Sequence, residues 1–360
     1  MVFAAATLPA PAAAAGPARL VPGARSVPGA HSISGAHSIS GVCTGAAPIV
    51  CHYDVAPGEY DIQVVLGSTD VAASTAVQAE ARRQMLSEAV TERGRFAYRS
   101  FHADVRDPES EPTRADAGTP GLTLAFTGAA PRVRKIVVRT AEPRTRQPFL
   151  AGDSTVCDPA GFPYMGWGRT VPQHLRRGLT VSNHADSGES TVSFLAGPRL
   201  WDTMLPPVRR GDVVLLQFGH NDKATTADDY RASLTRMVTE LHAVHARPVL
   251  ISPPVRRRPD RDGRLDDVAK HRNGLGVWLP AEIRTVATEL AVPYVDLTAD
   301  SAALIESLGV EDSKSIYLYG ELRDNTHFSE YGADRIGRLV LTRLAELDVL
   351  PRRAFRTMVE

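Results

Sequence analysis

The sequence predicts an α/β protein whose parallel sheet is covered by helices on both sides, with a small β-sandwich ahead of it. Three observations lead there. From Phe149 onward, short β-rich runs alternate with amphipathic helical patterns, which calls for a layered parallel sheet. From about Ala47 to Glu142, strand patterns succeed one another with no helix between them, as in a sandwich or jelly roll. Before both lies a stretch dominated by Ala, Pro, Gly and Ser that cannot bury enough apolar surface to fold. The expected divisions are 1–46 (leader-like and low-complexity), 47–145 (accessory β-sandwich) and 146–360 (α/β domain).

The opening MVFAAATLPAPAAAAGPARL is small and apolar but lacks a basic start, and Pro9, Pro11 and Pro17 interrupt any membrane-spanning helix. With the small residues Ala13 to Ala15 it reads as an imperfect secretory signal. A secreted, soluble protein is therefore expected. The following tether repeats GAHSIS at Gly29 and Gly35, too briefly for a solenoid. The β part then offers YDIQVVLG at Tyr60 (fed by the PGEY turn at Pro57), FAYRSFHADV at Phe96, LTLAFTG at Leu122 and VRKIVVRT at Val133. The α/β part offers strands LTVSN at Leu179, DVVLLQF at Asp212, RPVLIS at Arg247 and PYVDL at Pro293. A helix is predicted around Tyr230, and a closing helix puts Ile336, Leu339, Val340, Leu344 and Leu347 on one face.

Forty-one basic residues balance forty-one acidic ones, which gives no footprint for nucleic acid or an anionic membrane. Three cysteines without a Cys-x-x-Cys argue against structural zinc. Cys43 and Cys51 are close enough to close a small loop in an oxidising compartment, and a reduced pair fits the sequence as well.

In open α/β sheets, reactive groups collect beyond the carboxyl ends of the strands. Four stretches fall there or at the start of the last helix: FLAGDSTV with Ser154, HADSGES with Gly188, QFGHND with Asn221, and RDNTHFSEYGA with Asp324 and His327. Acyl transfer needs parts of these kinds. A serine becomes a nucleophile when an imidazole takes its proton. A carboxylate fixes the tautomer of that imidazole. N–H donors hold the tetrahedral oxyanion. Ser154, His327 and Asp324 would be nucleophile, base and orienting acid. The backbone N–H groups of Ser154 and Gly188, with the Asn221 amide, would form the oxyanion hole.

This ordered set resembles the SGNH (GDSL-like) hydrolases. AGDSTV with the following GWG at Gly166, GHND, the SPPVRR run from Ser252 and DNTHFSEYGA are similar to rhamnogalacturonan acetylesterases of carbohydrate esterase family 12. The resemblance covers roughly Phe149 to Leu350. It implies a flavodoxin-like three-layer α/β/α fold, no metal and no cofactor, and removal of acetyl groups from a pectic polysaccharide. It also implies Ser154, Asp324 and His327 as triad with Gly188 and Asn221 in the oxyanion hole.

Any one of these motifs alone is an ordinary turn or cap; their joint order carries the reading. His220 and Asp222 beside Asn221 invite a metal, but no third ligand stands at a metal-site spacing. Asp153 is expected to brace the nucleophile turn, and Cys157 to be a small packed residue. Trp167, Tyr164 and Trp278 are candidates to stack on sugar faces, and Arg256, Arg257 and Arg258 to meet uronate carboxylates. The first choices for substrate binding are Trp167, Arg256 and Arg257. The expected partner is an acetylated polysaccharide or oligosaccharide, met by a monomer. Two other functions compete: an SGNH esterase acting on acetylated xylan or on lipid or aryl esters, and a non-catalytic carbohydrate-binding protein. An α/β-hydrolase is disfavoured by the absence of a Gly-x-Ser-x-Gly elbow.

Overall fold

A computed structural model describes residues 38–113, 118–142 and 147–356. The leader and most of the tether lie outside the described residues. Eight strands come first: β1 (Val42–Thr44), β2 (Ile49–Tyr53), β3 (Gly58–Leu66), β4 (Ala73–Ala79), β5 (Arg83–Thr91), β6 (Ala97–Val105), β7 (Leu122–Ala130) and β8 (Val133–Thr140). All pair antiparallel, in one sheet of order β1-β2-β7-β4-β5 and another of order β6-β3-β8. Both sheets turn apolar residues into one core, with Ile62 and Val64 from β3 meeting Val77, Phe101, Leu124, Phe126 and Val138. Residues 42–44, expected in the tether, instead form an edge strand, and Cys43 is joined to Cys51 directly across its pairing with β2.

Strands β4 and β5 were not legible in the sequence. In β4 every second residue is buried, but those residues are Ala73, Thr75, Val77 and Ala79, mostly too small to register as an apolar alternation. Their smallness lets the strand lie in the middle of a packed face.

The parallel sheet contains β9 (Pro148–Gly152), β10 (Ser182–Asn183), β11 (Val213–Gln217), β12 (Arg247–Ile251) and β13 (Tyr294–Val295), in the order β10-β9-β11-β12-β13. Counted within the sheet this is 2-1-3-4-5, the flavodoxin-like order, with its reversal at β9. Successive strand residues serve opposite cores. Phe149, Ala151, Val214, Leu216 and Leu250 face one side, while Leu150, Val213, Leu215, Val249 and Ile251 face the other. Burial on both faces is why these strands read as unbroken apolar runs. The first side is covered by α1 (Thr191–Ala196), α2 (Trp201–Met204), α3 (Ala227–Ala243) and α4 (Leu279–Glu289). The second is covered by α5 (Leu297–Asp312) and, after the single turn α6 (Tyr319–Leu322), by α7 (Glu330–Glu346). The apolar stripe of α7 is as expected except at Leu347, which caps the helix and is exposed. LTVSN contributes only Ser182 and Asn183 to the sheet. No helix among the described residues is long and apolar enough to cross a membrane.

The antiparallel and parallel parts belong to one compact unit, joined by a buried polar seam. Arg83 of β5 is 2% exposed; its Nε donates to Asp158 Oδ2 at 2.8 Å and its Nη1 to the Asp104 carbonyl at 3.0 Å. Asp158 also accepts from Asn183 Nδ2, and the Asp104 carboxylate accepts from Gln147 and from Ser182 Oγ. Removing one member of such a network leaves a desolvated charge without its partner. Arg83→Ala is therefore expected to cost about 3–5 kcal/mol. Urea denaturation checks this, and a loss below about 1 kcal/mol, the level of a surface pair, would show that the seam does not depend on this arginine.

Candidate active site

Three strand ends at the reversal of the sheet supply three of the site's elements. Directly after β9, Gly152-Asp153-Ser154 turns away from the sheet. Asp153 is fully buried; its Oδ1 accepts from the Thr155 N–H at 2.9 Å and the Thr155 hydroxyl at 2.7 Å, as a brace of this turn should. Beyond β10, Gly188 is exposed at φ +90°, a conformation glycine adopts without strain. Beyond β11, Asn221 is half-buried and its Nδ2 donates to the Glu189 carbonyl at 3.1 Å, tying the second loop to the third. Asp222 strengthens that tie by accepting from the Thr191 N–H and hydroxyl at the start of α1. Burial raises Asp222 to about 6 against these hydrogen bonds, which favour its ionised form.

The fourth element precedes α7. Asp324 Oδ1 accepts from the backbone N–H groups of Thr326 at 2.7 Å and His327 at 3.0 Å, which folds the Asp-x-x-His turn on itself. Its Oδ2 stands 2.7 Å from His327 Nδ1. With Nδ1–H donating there, His327 Nε2 is left as an acceptor, and the Ser154 hydroxyl lies 2.9 Å from it. Partial burial alone would raise the Asp324 carboxyl, but the hydrogen bonds from His327 and Thr326 hold it down at about 2. A hydroxyl, an imidazole and an ionised carboxylate thus stand in line, able to move a proton off Ser154 and hold the resulting imidazolium. Tyr164, 41% exposed, sets its ring edge-on to His327 with centroids 5.3 Å apart.

Two sequence expectations need correction. Trp167 is wholly buried and its indole N–H donates to Gln217 Oε1 at 2.9 Å, so its ring packs in the core and faces no substrate. Arg257 is 6% exposed; it donates to Ser313 Oγ, Asn325 Oδ1 and the Val310 carbonyl, and its backbone N–H reaches the Asn325 carbonyl. It braces the Asp324–His327 loop from beneath. Arg256 is half-buried, with Nη2 donating to the His220 carbonyl at 2.7 Å. Cys157 is buried as a packed residue. Among the described residues, no group of three or more His, Cys, Asp or Glu side chains is arranged to hold a metal ion.

Sequence reasoning missed the grip of the antiparallel part on this site. Arg82 Nη2 donates to the carbonyls of Pro159, Gly161 and Tyr164, holding the loop that sets Tyr164 against His327. Glu111 accepts from the Ser187 N–H, and Asp186 accepts from Thr113. Charged residues in a loop carry no periodicity, and nothing in the sequence distinguishes these from solvated ones.

Residues 150–335 match the GDSL-like lipase/acylhydrolase family. The chain belongs to that family. As a GDSL-like protein of the SGNH type it is a carboxylic ester hydrolase. The rhamnogalacturonan acetylesterase RhgT of Bacillus subtilis (strain 168) is 36% identical over 217 residues, covering 56% of this chain and 90% of that protein. An uncharacterized esterase of the same organism, YxiM, is 28% identical over 306 residues, 81% of this chain and 72% of that protein. The crystal structure of YxiM superposes with a TM-score of 0.52 at 23% identity, covering 84% of this chain and 81% of that one, a likeness of fold.

Two carboxylates of this GDSL-like site carry a pH consequence. Asp153 is buried, which would raise it, but His220 and Thr155 hold it at about 2, as His327 and Thr326 hold Asp324. An unfolded aspartate protonates near ~3.9. As pH falls from about 4 toward about 2, the unfolded chain takes up protons before the folded one, and stability is lost. The urea midpoint is expected to fall across that window and to fall less steeply in Asp153→Asn. Equal slopes in variant and wild type would count against the assignment.

Proposed function

We propose that this esterase removes acetyl groups from a plant cell-wall polysaccharide, rhamnogalacturonan (pectin) foremost, through an acyl-enzyme on Ser154. The observation that carries the proposal is the unbroken Ser154–His327–Asp324 hydrogen-bond chain. The substrate class is supported by the 36% identity to a rhamnogalacturonan acetylesterase.

Ser154 Oγ attacks the acetyl carbonyl carbon while His327 Nε2 takes its proton. The carbonyl oxygen becomes an oxyanion, received by the N–H groups of Ser154 and Gly188 and by Asn221 Nδ2. Collapse breaks the bond to the sugar oxygen, which leaves with the proton from His327 as a free hydroxyl. Water then gives a proton to His327 and its oxygen to the acyl carbon, and the second collapse releases acetate and restores Ser154. Asp324 keeps the imidazole in the tautomer that accepts from serine.

Phe162 and Tyr164, 79% and 41% exposed on the loop held by Arg82, offer aromatic faces to a sugar ring beside the reacting ester. Arg256 would meet a uronate carboxylate from the other wall. In this reading the antiparallel part, 47–145, is a β-sandwich accessory to the catalytic part, 146–360. The protein is a secreted monomer with a leader and tether ahead of β1; the Cys43–Cys51 disulfide fits an oxidising compartment.

Acetate release from acetylated rhamnogalacturonan, acetylated xylan and p-nitrophenyl acetate tests the proposal. Release is expected to favour the pectic polymer and to fall at least ~10³-fold in Ser154→Ala with the fold intact. Asn221→Ala should lose roughly 10²-fold in turnover. Substantial activity in Ser154→Ala would reject the mechanism. Ser154-dependent release from xylan or the aryl ester alone would keep the mechanism and reject pectin.

A further inference from the structure

We infer that Glu111, on the loop after β6 in the antiparallel part, is a positioning residue for the acyl site: it holds the peptide immediately before the one that carries the Gly188 N–H. The inference rests on the oxyanion role proposed for Gly188. Nothing lies within 4 Å of where a side chain on Gly188 would begin, and the residue is exposed. No packing on that side orients it, and glycine's backbone is the least constrained of any residue's. The direction of its N–H must come from the residues on either side.

On the far side, Asn221 Nδ2 holds the Glu189 carbonyl, within the parallel part. On the near side the hold comes from the antiparallel part. Glu111 Oε1 accepts from the Ser187 N–H at 2.8 Å. The Asp186 carboxylate accepts from the Thr113 N–H at 2.7 Å and the Thr113 hydroxyl at 2.9 Å. The loop is anchored by Ser110, whose hydroxyl donates to the Asp158 carbonyl. Glu111 is 5% exposed and Asp186 1%. Hydrogen bonds to carboxylates in so dry a place are strong, and costly to leave unmade. Oxyanion donors act through preorganisation, and a misplacement of about 1 Å costs on the order of 10²-fold. An active site laid out on one sheet thus takes one of its tolerances from another.

The test uses the full chain and p-nitrophenyl acetate, comparing Glu111→Ala, Glu111→Gln, Thr113→Ala and Ser154→Ala. Gln84→Ala is the control, since Gln84 also links the two parts, through Glu330, away from this loop. Glu111→Ala is expected to lower kcat about 10- to 100-fold, within the cost of a displaced catalytic group, with KM changed less than about 3-fold. Glu111→Gln keeps an acceptor oxygen and should restore kcat to within about 3-fold of wild type. Gln84→Ala should retain wild-type kcat. If Glu111→Ala does not fold, Thr113→Ala carries the test, with kcat expected to drop about 3- to 10-fold at constant KM. Wild-type kcat in Glu111→Ala beside an inactive Ser154→Ala would overturn the inference and leave the mechanism standing. So would an effect confined to KM, or a Glu111→Gln as impaired as Glu111→Ala. Activity retained in Ser154→Ala would instead remove the mechanism, and this inference with it.

Discussion

The pairing of β9 with β10 on one side and β11 on the other sets the spacing of the active site. Strands in a sheet lie about 4.8 Å apart, so loops leaving three adjacent strands at the same end begin within reach of one another. Register carries the match further: Gly152 stands opposite Gln217, so the nucleophile turn and the Asn221 loop leave the sheet at one level, and β10 ends two residues earlier, with Asn183 opposite Leu150. The reversal of strand order at β9 sends its neighbours' connections to opposite faces and opens the crevice in which Ser154 stands. Gln217, at the end of β11, then locks the arrangement by accepting from both Trp167 and Thr155.

What the sequence revealed, and what it concealed, follows from which forces leave a pattern. The parallel strands were legible because burial on both faces makes them continuously apolar. Ser154, Gly188, Asn221, Asp324 and His327 stood out because their motifs stand in one order, three beyond strand ends and one ahead of the last helix, with the residue types acyl transfer needs. Strands β4 and β5 were hidden by small and polar side chains. Trp167 and Arg257 were misjudged for one reason: an aromatic or a guanidinium beside a catalytic motif looks the same in sequence whether it points out or in. Trp167 turns inward because its N–H finds Gln217. Arg257 does so because its planar fork satisfies several oxygens at once, which suits it to pin an irregular loop.

Buried polar contacts between the two parts have no sequence signature, yet they decide how rigid the site is. Arg82, Arg83 and Glu111 come from the antiparallel part and meet loops that border the acyl site, while Asp104 holds the starts of β9 and β10 through Gln147 and Ser182. An interface made of such groups is more demanding than an apolar one, because partial satisfaction is penalised. It therefore permits few relative placements of the two parts. The antiparallel strands act less as a separate module than as the outer support of loops that the parallel sheet alone leaves free on one side.

In the proposed mechanism the same logic of burial selects the base. Three imidazoles gather near Asp153 and Asp324: His220, His271 and His327. His220 and His271 are buried, with ring centroids 4.5 Å apart. Burial depresses both, His271 well below the usual histidine range although it is hydrogen-bonded to the Pro254 carbonyl. A ring buried in the interior cannot gain and lose a charge on each turnover without a large desolvation cost. His327 alone of the three keeps contact with solvent, at 28% exposure, and it alone is paired with a carboxylate that touches its Nδ1 and a serine that touches its Nε2. His220 sits 3.5 Å from Asp153 and serves that carboxylate's field instead. Two aspartates are both held ionised, and in the proposed mechanism one braces the nucleophile turn and one orients the base. Which of them would assist proton transfer follows from which histidine each can reach.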